Sequence, residues 1–316
     1  MPEAAISPVW LLVIYCAIEL LASLAGGWLM LMMHLTHRRL QMGISFVAGL
    51  MLGVALLDFL PDGAEQLHSV NRTAAWALGG FLTMFFVQRF FHFHHHDVPQ
   101  GDPEGCGHEH EEASDHDHGH DHGHTHPGHT LAERSARQLS WIGTALGLTL
   151  HSLLDGLAMA AAVLAESGSG TKVAGLGVAL VVILHKPFDA MAVSTLMAAG
   201  GKSKSSRHWL NALFALATPA GAFLFWMGAS RVADSNAAYV GCALAFCAGT
   251  FLCIASSDLL PELQFHSHDR FALSFALVAG LAVAITISQF ESGSPEPAAV
   301  PTRLQEAPLT GKPGGG

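Results

Sequence analysis

The sequence predicts an all-α integral membrane protein with eight spanning helices, and three observations carry that reading. Of its 316 residues, 51% are hydrophobic and only 13% charged. The apolar residues gather into long blocks rather than alternating with polar ones. Eight blocks reach or approach the roughly 20 residues a helix needs to cross a bilayer. Inside lipid a helix satisfies its own backbone hydrogen bonds, which an open strand cannot do.

The first block, Val9–Met33, has Glu3 before it and no basic leader. It is about twice as long as the apolar core of a signal peptide, so it reads as a retained helix. Ile44–Leu60 and Thr73–Phe91 follow, then a long polar segment, then Trp141–Leu164, Val173–Met197, Trp209–Met227, Ala237–Leu260 and Phe271–Phe290. An even number of spans puts both termini on one side. With the termini outside, the inner loops collect Arg38, Arg39, Arg89, Arg134, Arg137, Lys202, Lys204, Arg207 and Arg270, while the outer loops hold only Arg72, Lys172 and Arg231, with Arg303 and Lys312 in the tail. The bias of basic residues toward the cytoplasm therefore predicts outer termini and a cytoplasmic loop after the third helix. In a bacterium this membrane would be the plasma (inner) membrane. The predicted organisation is helices 1–3 in residues 1–91, a loop in 92–140, helices 4–5 in 141–200, helices 6–8 in 201–290 and a disordered tail in 291–316.

The loop is of low complexity. From His92 to His129 it has thirteen His and nine Asp/Glu but no Lys or Arg. The formal net charge of −10 is thus largely local, and it gives no sign of nucleic-acid binding. Such a tract cannot form a core. Its His116, His118, His120, His122, His124 and His126 read as a flexible, low-selectivity metal collector. The five cysteines show no C-x-x-C spacing and four of them sit in apolar blocks, so neither a zinc finger nor a disulfide framework is indicated.

A short internal echo is also visible. Asp58-Phe-Leu-Pro61-Asp62 ends the second helix and Asp258-Leu-Leu-Pro261-Glu262 ends the seventh. Each lies in the middle helix of a terminal triplet, and the two helices run in opposite directions. Inverted triplets around a central pair predict a 3+2+3 plan with its substrate site at the midplane.

The chemistry is expected in that central pair. His151-Ser-Leu-Leu-Asp155-Gly156 and His185-Lys-Pro-Phe-Asp189-Ala190 both read H-x-x-x-D. Residues four apart share one helix face, so each segment aims an imidazole and a carboxylate at one point. Ionisable groups at this depth usually mark an ion or substrate path, and imidazole with carboxylate suits divalent transition metals such as zinc. Pro187 lacks an N–H, which frees the carbonyl of Ile183 one turn back. Glu19 and Gln88, polar residues in apolar blocks, are expected to hydrogen-bond between helices.

These residues carry a resemblance. His151-Ser-Leu-Leu-Asp155-Gly156 resembles the fourth-helix H-N-x-x-[DE]-G motif of the ZIP (Zrt-/Irt-like) metal transporters, and His185-Lys-Pro-Phe-Asp189-Ala190 is similar to their fifth-helix H-[EK]-x-P-[EH]-G motif. The eight helices, the His-rich loop and the Ala248-Gly-Thr-Phe-Leu252 run of the seventh helix match as well. The resemblance implies a 3+2+3 bundle that moves divalent metal toward the cytoplasm, with His151, Asp155, His185 and Asp189 as the primary site.

Three residues depart from the family pattern. Ser152 stands in place of the usual Asn and is a weaker oxygen ligand. Pro187 sits one position early. Lys186 stands where many members have a carboxylate that helps hold a second ion, so its charge is expected to replace that second metal.

Zinc is the expected cargo, with Fe²⁺, Mn²⁺ and Cd²⁺ next. Asp58 and Asp62, with Glu65 and His68 near them, are expected at the entrance. Asp258 and Glu262, with His266 and His268, are expected at the exit. The expected partners are metal ions, the lipid bilayer and a second copy of the chain as a homodimer. No catalytic residue and no cofactor are expected. The competing readings are a cation diffusion facilitator-type exporter, which generally has six helices, and an intramembrane zinc hydrolase, for which Ser152 beside His151 is the motif.

Overall fold

The computed structural model describes residues 7–32, 37–91, 131–167, 173–199, 201–232, 236–265 and 270–291. All regular structure among them is helical: α1 (Pro8–Met32), α2 (His37–Val54), a π-helical turn (Ala55–Phe59), α3 (Leu60–Leu67), α4 (Val70–Phe91), α5 (Leu131–Glu166), α6 (Leu176–Ala199), α7 (Lys204–Ala215), α8 (Ala217–Arg231), α9 (Asn236–Phe265) and α10 (Arg270–Glu291). Among the described residues, seven spans are long and apolar enough to cross a membrane. The eighth expected span, α4, has the length but is less apolar, since it includes Arg72, Gln88 and Arg89. Large apolar side chains such as Trp10, Leu21 and Phe275 point outward, as lipid-facing residues do.

Three boundaries differ from the sequence reading. The sixth span is two helices that meet at Leu216, just before Pro219. Proline requires φ near −65° at its own position and disfavours helical geometry in the residue before it, so a break in its neighbourhood is expected. The second span is continuous from His37 to Leu67 because a π-helical turn absorbs one extra residue ahead of Pro61. Finally, α5 begins at Leu131, so 131–140, assigned by composition to the loop, belongs to the helix.

The packing has an internal two-fold pattern. The dominant helix pairs are α2 with α10, α4 with α9, α5 with α8, and α1 with α6. Exchanging the first triplet of spans for the last, and α5 for α6, converts each pair into another of the four. The close contacts repeat with it. Gly49 of α2 meets the carbonyl of Leu277 of α10, and Gly249 of α9 meets that of Ala77 of α4. Gly80 meets the carbonyl of Phe246, and Gly280 that of Phe46. Matched residues lie 200 positions apart, as do Asp58/Asp258 and Pro61/Pro261. Small residues let helices approach closely where lipid supplies no hydrophobic drive to associate, and here they fix the register of both halves.

Candidate metal centre

Close packing also sets the walls of the site. Gly156 of α5 lies against the carbonyl of Thr218, Gly221 of α8 against that of Leu153, and Gly26 of α1 against the backbone of Pro187. α6 continues as a helix through Pro187, which keeps His185 and Asp189 on one face. α5 and α6 thereby bring their H-x-x-x-D faces together.

His151, Asp155 and His185 are buried, and Asp189 is only partly exposed. One ligand atom from each falls within 4.8 Å of the others. His185 Nε2 is 3.2 Å from Asp155 Oδ2 and 3.8 Å from Asp189 Oδ2. His151 Nε2 is 3.5 Å and 3.7 Å from the same two oxygens. Four ligands arranged tetrahedrally at zinc bond lengths stand about 3.3 Å apart, so these separations fit one ion. His185 Nδ1 lies 2.9 Å from the carbonyl of Val181. Donating there commits its proton and turns the Nε2 lone pair toward the carboxylates, the usual way a backbone carbonyl orients a metal-binding imidazole.

Lys186 is fully buried beside this cluster. Its ammonium donates to Asp155 Oδ2 at 2.7 Å and to Ser152 Oγ at 2.8 Å, with Asp189 Oδ2 at 3.9 Å. The Phe214 ring centroid is 5.5 Å away. Ser152 in turn donates to the carbonyl of Leu148 at 2.8 Å. Its hydroxyl proton and one lone pair are therefore engaged, and the weak metal ligand expected from the sequence is in this structure a partner of Lys186.

The entrance residues stand apart from the four-ligand cluster. Asp58 lies on the π-helical turn, buried beside Ser288 of α10, and Asp62 is one turn further on. Gln88, expected to bridge helices, does so by donating to Ser257 Oγ on α9 at 2.9 Å. The side chains of Asp258 and Glu262, and residues His266, His268, His116, His118, His120, His122, His124 and His126, lie outside the described residues. Three features of the site had little or no sequence signal: the Val181 carbonyl, the Phe214 ring and the burial of Glu19. Glu19 had a partial one, as the only acid in α1.

The family model described as ZIP Zinc transporter matches residues 9–288. The chain belongs to the ZIP zinc transporter family. Members in the curated set include the zinc transporter ZIP9 of Micropogonias undulatus, 39% identical over 155 residues covering 46% of this chain and 47% of that protein. ZIP9 of Xenopus tropicalis is 40% identical over 136 residues, 41% of this chain and 43% of the relative. ZIP9-A of Xenopus laevis is 29% identical over 295 residues, or 78% of this chain and 85% of that protein. At the higher identities, then, the chain spans about half the length of the relatives it matches. Family membership accounts for the apolar helices and for the paired His/Asp motifs in one frame, and identifies the protein as an integral membrane protein.

Proposed function

We propose that this chain carries zinc across a membrane toward the cytoplasm, binding it at His151, Asp155, His185 and Asp189. The observation behind this reading is the convergence of four N/O ligand atoms from two central helices at separations suited to one divalent ion. In this reading the ion enters past Asp58 and Asp62 and exchanges its water for the two imidazoles and two carboxylates. It leaves past Asp258 and Glu262 toward the His-rich loop. Lys186 supplies a positive charge beside the cluster that disfavours a second ion in it. The basic-residue bias supports outer termini and a cytoplasmic loop. Fe²⁺, Mn²⁺ and Cd²⁺ are secondary cargoes, since ligand type alone does not separate them from zinc. No catalytic role is assigned, and a homodimer is the oligomer proposed. Because the imidazoles must be neutral and the carboxylates ionised to bind, protons compete with the ion and uptake affinity falls as pH drops.

The test is zinc uptake into proteoliposomes with competing ions outside and an external chelator to stop it. Saturable zinc uptake that Fe²⁺, Mn²⁺ and Cd²⁺ inhibit less than unlabelled zinc does is expected. Absence of saturable uptake by correctly inserted protein refutes the proposal.

A further inference from the structure

Glu19, the single acid of α1, is fully buried, and the Thr218 hydroxyl of α8 faces its carboxylate without making a well-formed hydrogen bond. An ionisable group buried at membrane depth is expensive and is a functional candidate by default. It lies seven residues before Gly26, so two helical turns along the same face, and Gly26 is seated on the backbone of Pro187. That face therefore looks toward α6. Ser23, between the two, is also fully buried.

Lys186 precedes Pro187. Side chains on a helix lean back over the turn that comes before them, which carries the Lys186 ammonium toward the level of Glu19. Lys186, Asp155 and His185 are the charged groups whose fields reach the Glu19 carboxylate, and the Thr218 hydroxyl faces it from α8.

Two further facts bear on Lys186. First, it holds Asp155 Oδ2 at 2.7 Å, and this is the same oxygen that faces His185 Nε2 and His151 Nε2. The ammonium and an ion held between the two imidazoles thus face the same oxygen, while Oδ1 of Asp155 is buried without a partner. Second, charge must balance in a buried site. The carboxylates of Asp155 and Asp189 cancel a divalent ion and leave Lys186 as one uncompensated buried cation. A third carboxylate, Glu19, cancels it.

We propose that Lys186 is a tethered competitor of the metal and that Glu19 is its alternative seat. When a divalent ion takes Asp155 Oδ2, the ammonium passes from Asp155 to Glu19, so α1 registers occupancy of the site built by α5 and α6. The Phe214 ring offers the cation an aromatic face beside it during the move. Glu19 is in this account a positioning residue, since it acts on the metal through Lys186.

The inference rests on the zinc reading of the cluster, and its test separates the two. Zinc uptake by the full chain in proteoliposomes is measured for wild type, Glu19→Gln, Lys186→Met and the double variant. Glu19→Gln should raise the zinc KM about tenfold, the size of coupling expected between residues in one charge network. In the Lys186→Met background, where no ammonium needs a seat, it should raise it not at all. A purely structural role for Glu19 would move KM equally in both backgrounds, and that result, or no change in either, overturns the proposal. A structure of the zinc-loaded wild-type chain tests it without any variant: Lys186 should be on Glu19. Zinc at the cluster with Lys186 still on Asp155 overturns this inference alone, whereas no zinc at the cluster overturns the transport reading as well.

Discussion

Replacing Asp155 with Ala should weaken the fold as well as stop transport, and one added substitution should separate the two effects. Asp155 and Lys186 are both fully buried and joined at 2.7 Å. Removing one partner of such a buried pair leaves the other charge poorly compensated, at a cost of about 3–5 kcal/mol. Lys186 keeps two lesser contacts, Ser152 Oγ at 2.8 Å and Asp189 Oδ2 at 3.9 Å, and has Glu19 as the further acceptor proposed above. The low end, about 3 kcal/mol, is therefore expected. Adding Lys186→Met removes the stranded charge and keeps an apolar stem of similar length, so most of that loss should return. Zinc uptake should not return, because the ligand is still missing. Thermal unfolding of purified protein in detergent reads the first effect and proteoliposome uptake the second. His151→Ala is the reference: its Nδ1 has no partner to lose, so it should abolish uptake with a smaller loss of stability. The reasoning fails if the double variant is no more stable than Asp155→Ala, or if Asp155→Ala is as stable as His151→Ala.

Deleting Asp102–His129 should leave uptake measurable while lowering the number of weakly bound zinc ions counted by equilibrium dialysis; complete loss of uptake by a well-inserted deletion would make the loop part of the conduit. Lys186→Glu should raise the number of metal ions at the core from one to two, which anomalous diffraction on loop-deleted protein would count directly. Gly249→Leu and Gly49→Leu should each destabilise by about 3 kcal/mol or more, since each side chain would overlap a backbone carbonyl of the neighbouring helix. Gly79→Leu, with open space around it, should be tolerated, and comparable losses at all three positions in detergent melts would refute the two-fold packing argument.

What the sequence determined by itself follows from short-range rules. Block length and hydropathy fixed the helices, because a bilayer demands about 20 apolar residues whatever the fold. The four-residue spacing of His151 with Asp155, and of His185 with Asp189, fixed the two faces, because helix geometry is local. The Asp58/Asp258 echo pointed to a repeat for the same reason. Tertiary structure decided which faces meet and which group takes which partner. Nothing local places Lys186 on Asp155 and Ser152 rather than on Asp189, or buries Glu19 of α1 toward α6. Those outcomes depend on Gly26, Gly156 and Gly221 bringing four helices close enough for side chains 30 to more than 160 residues apart in sequence to share one buried cluster of charge. Pair energies there depend on desolvation and distance, and neither is written in the spacing of a single helix.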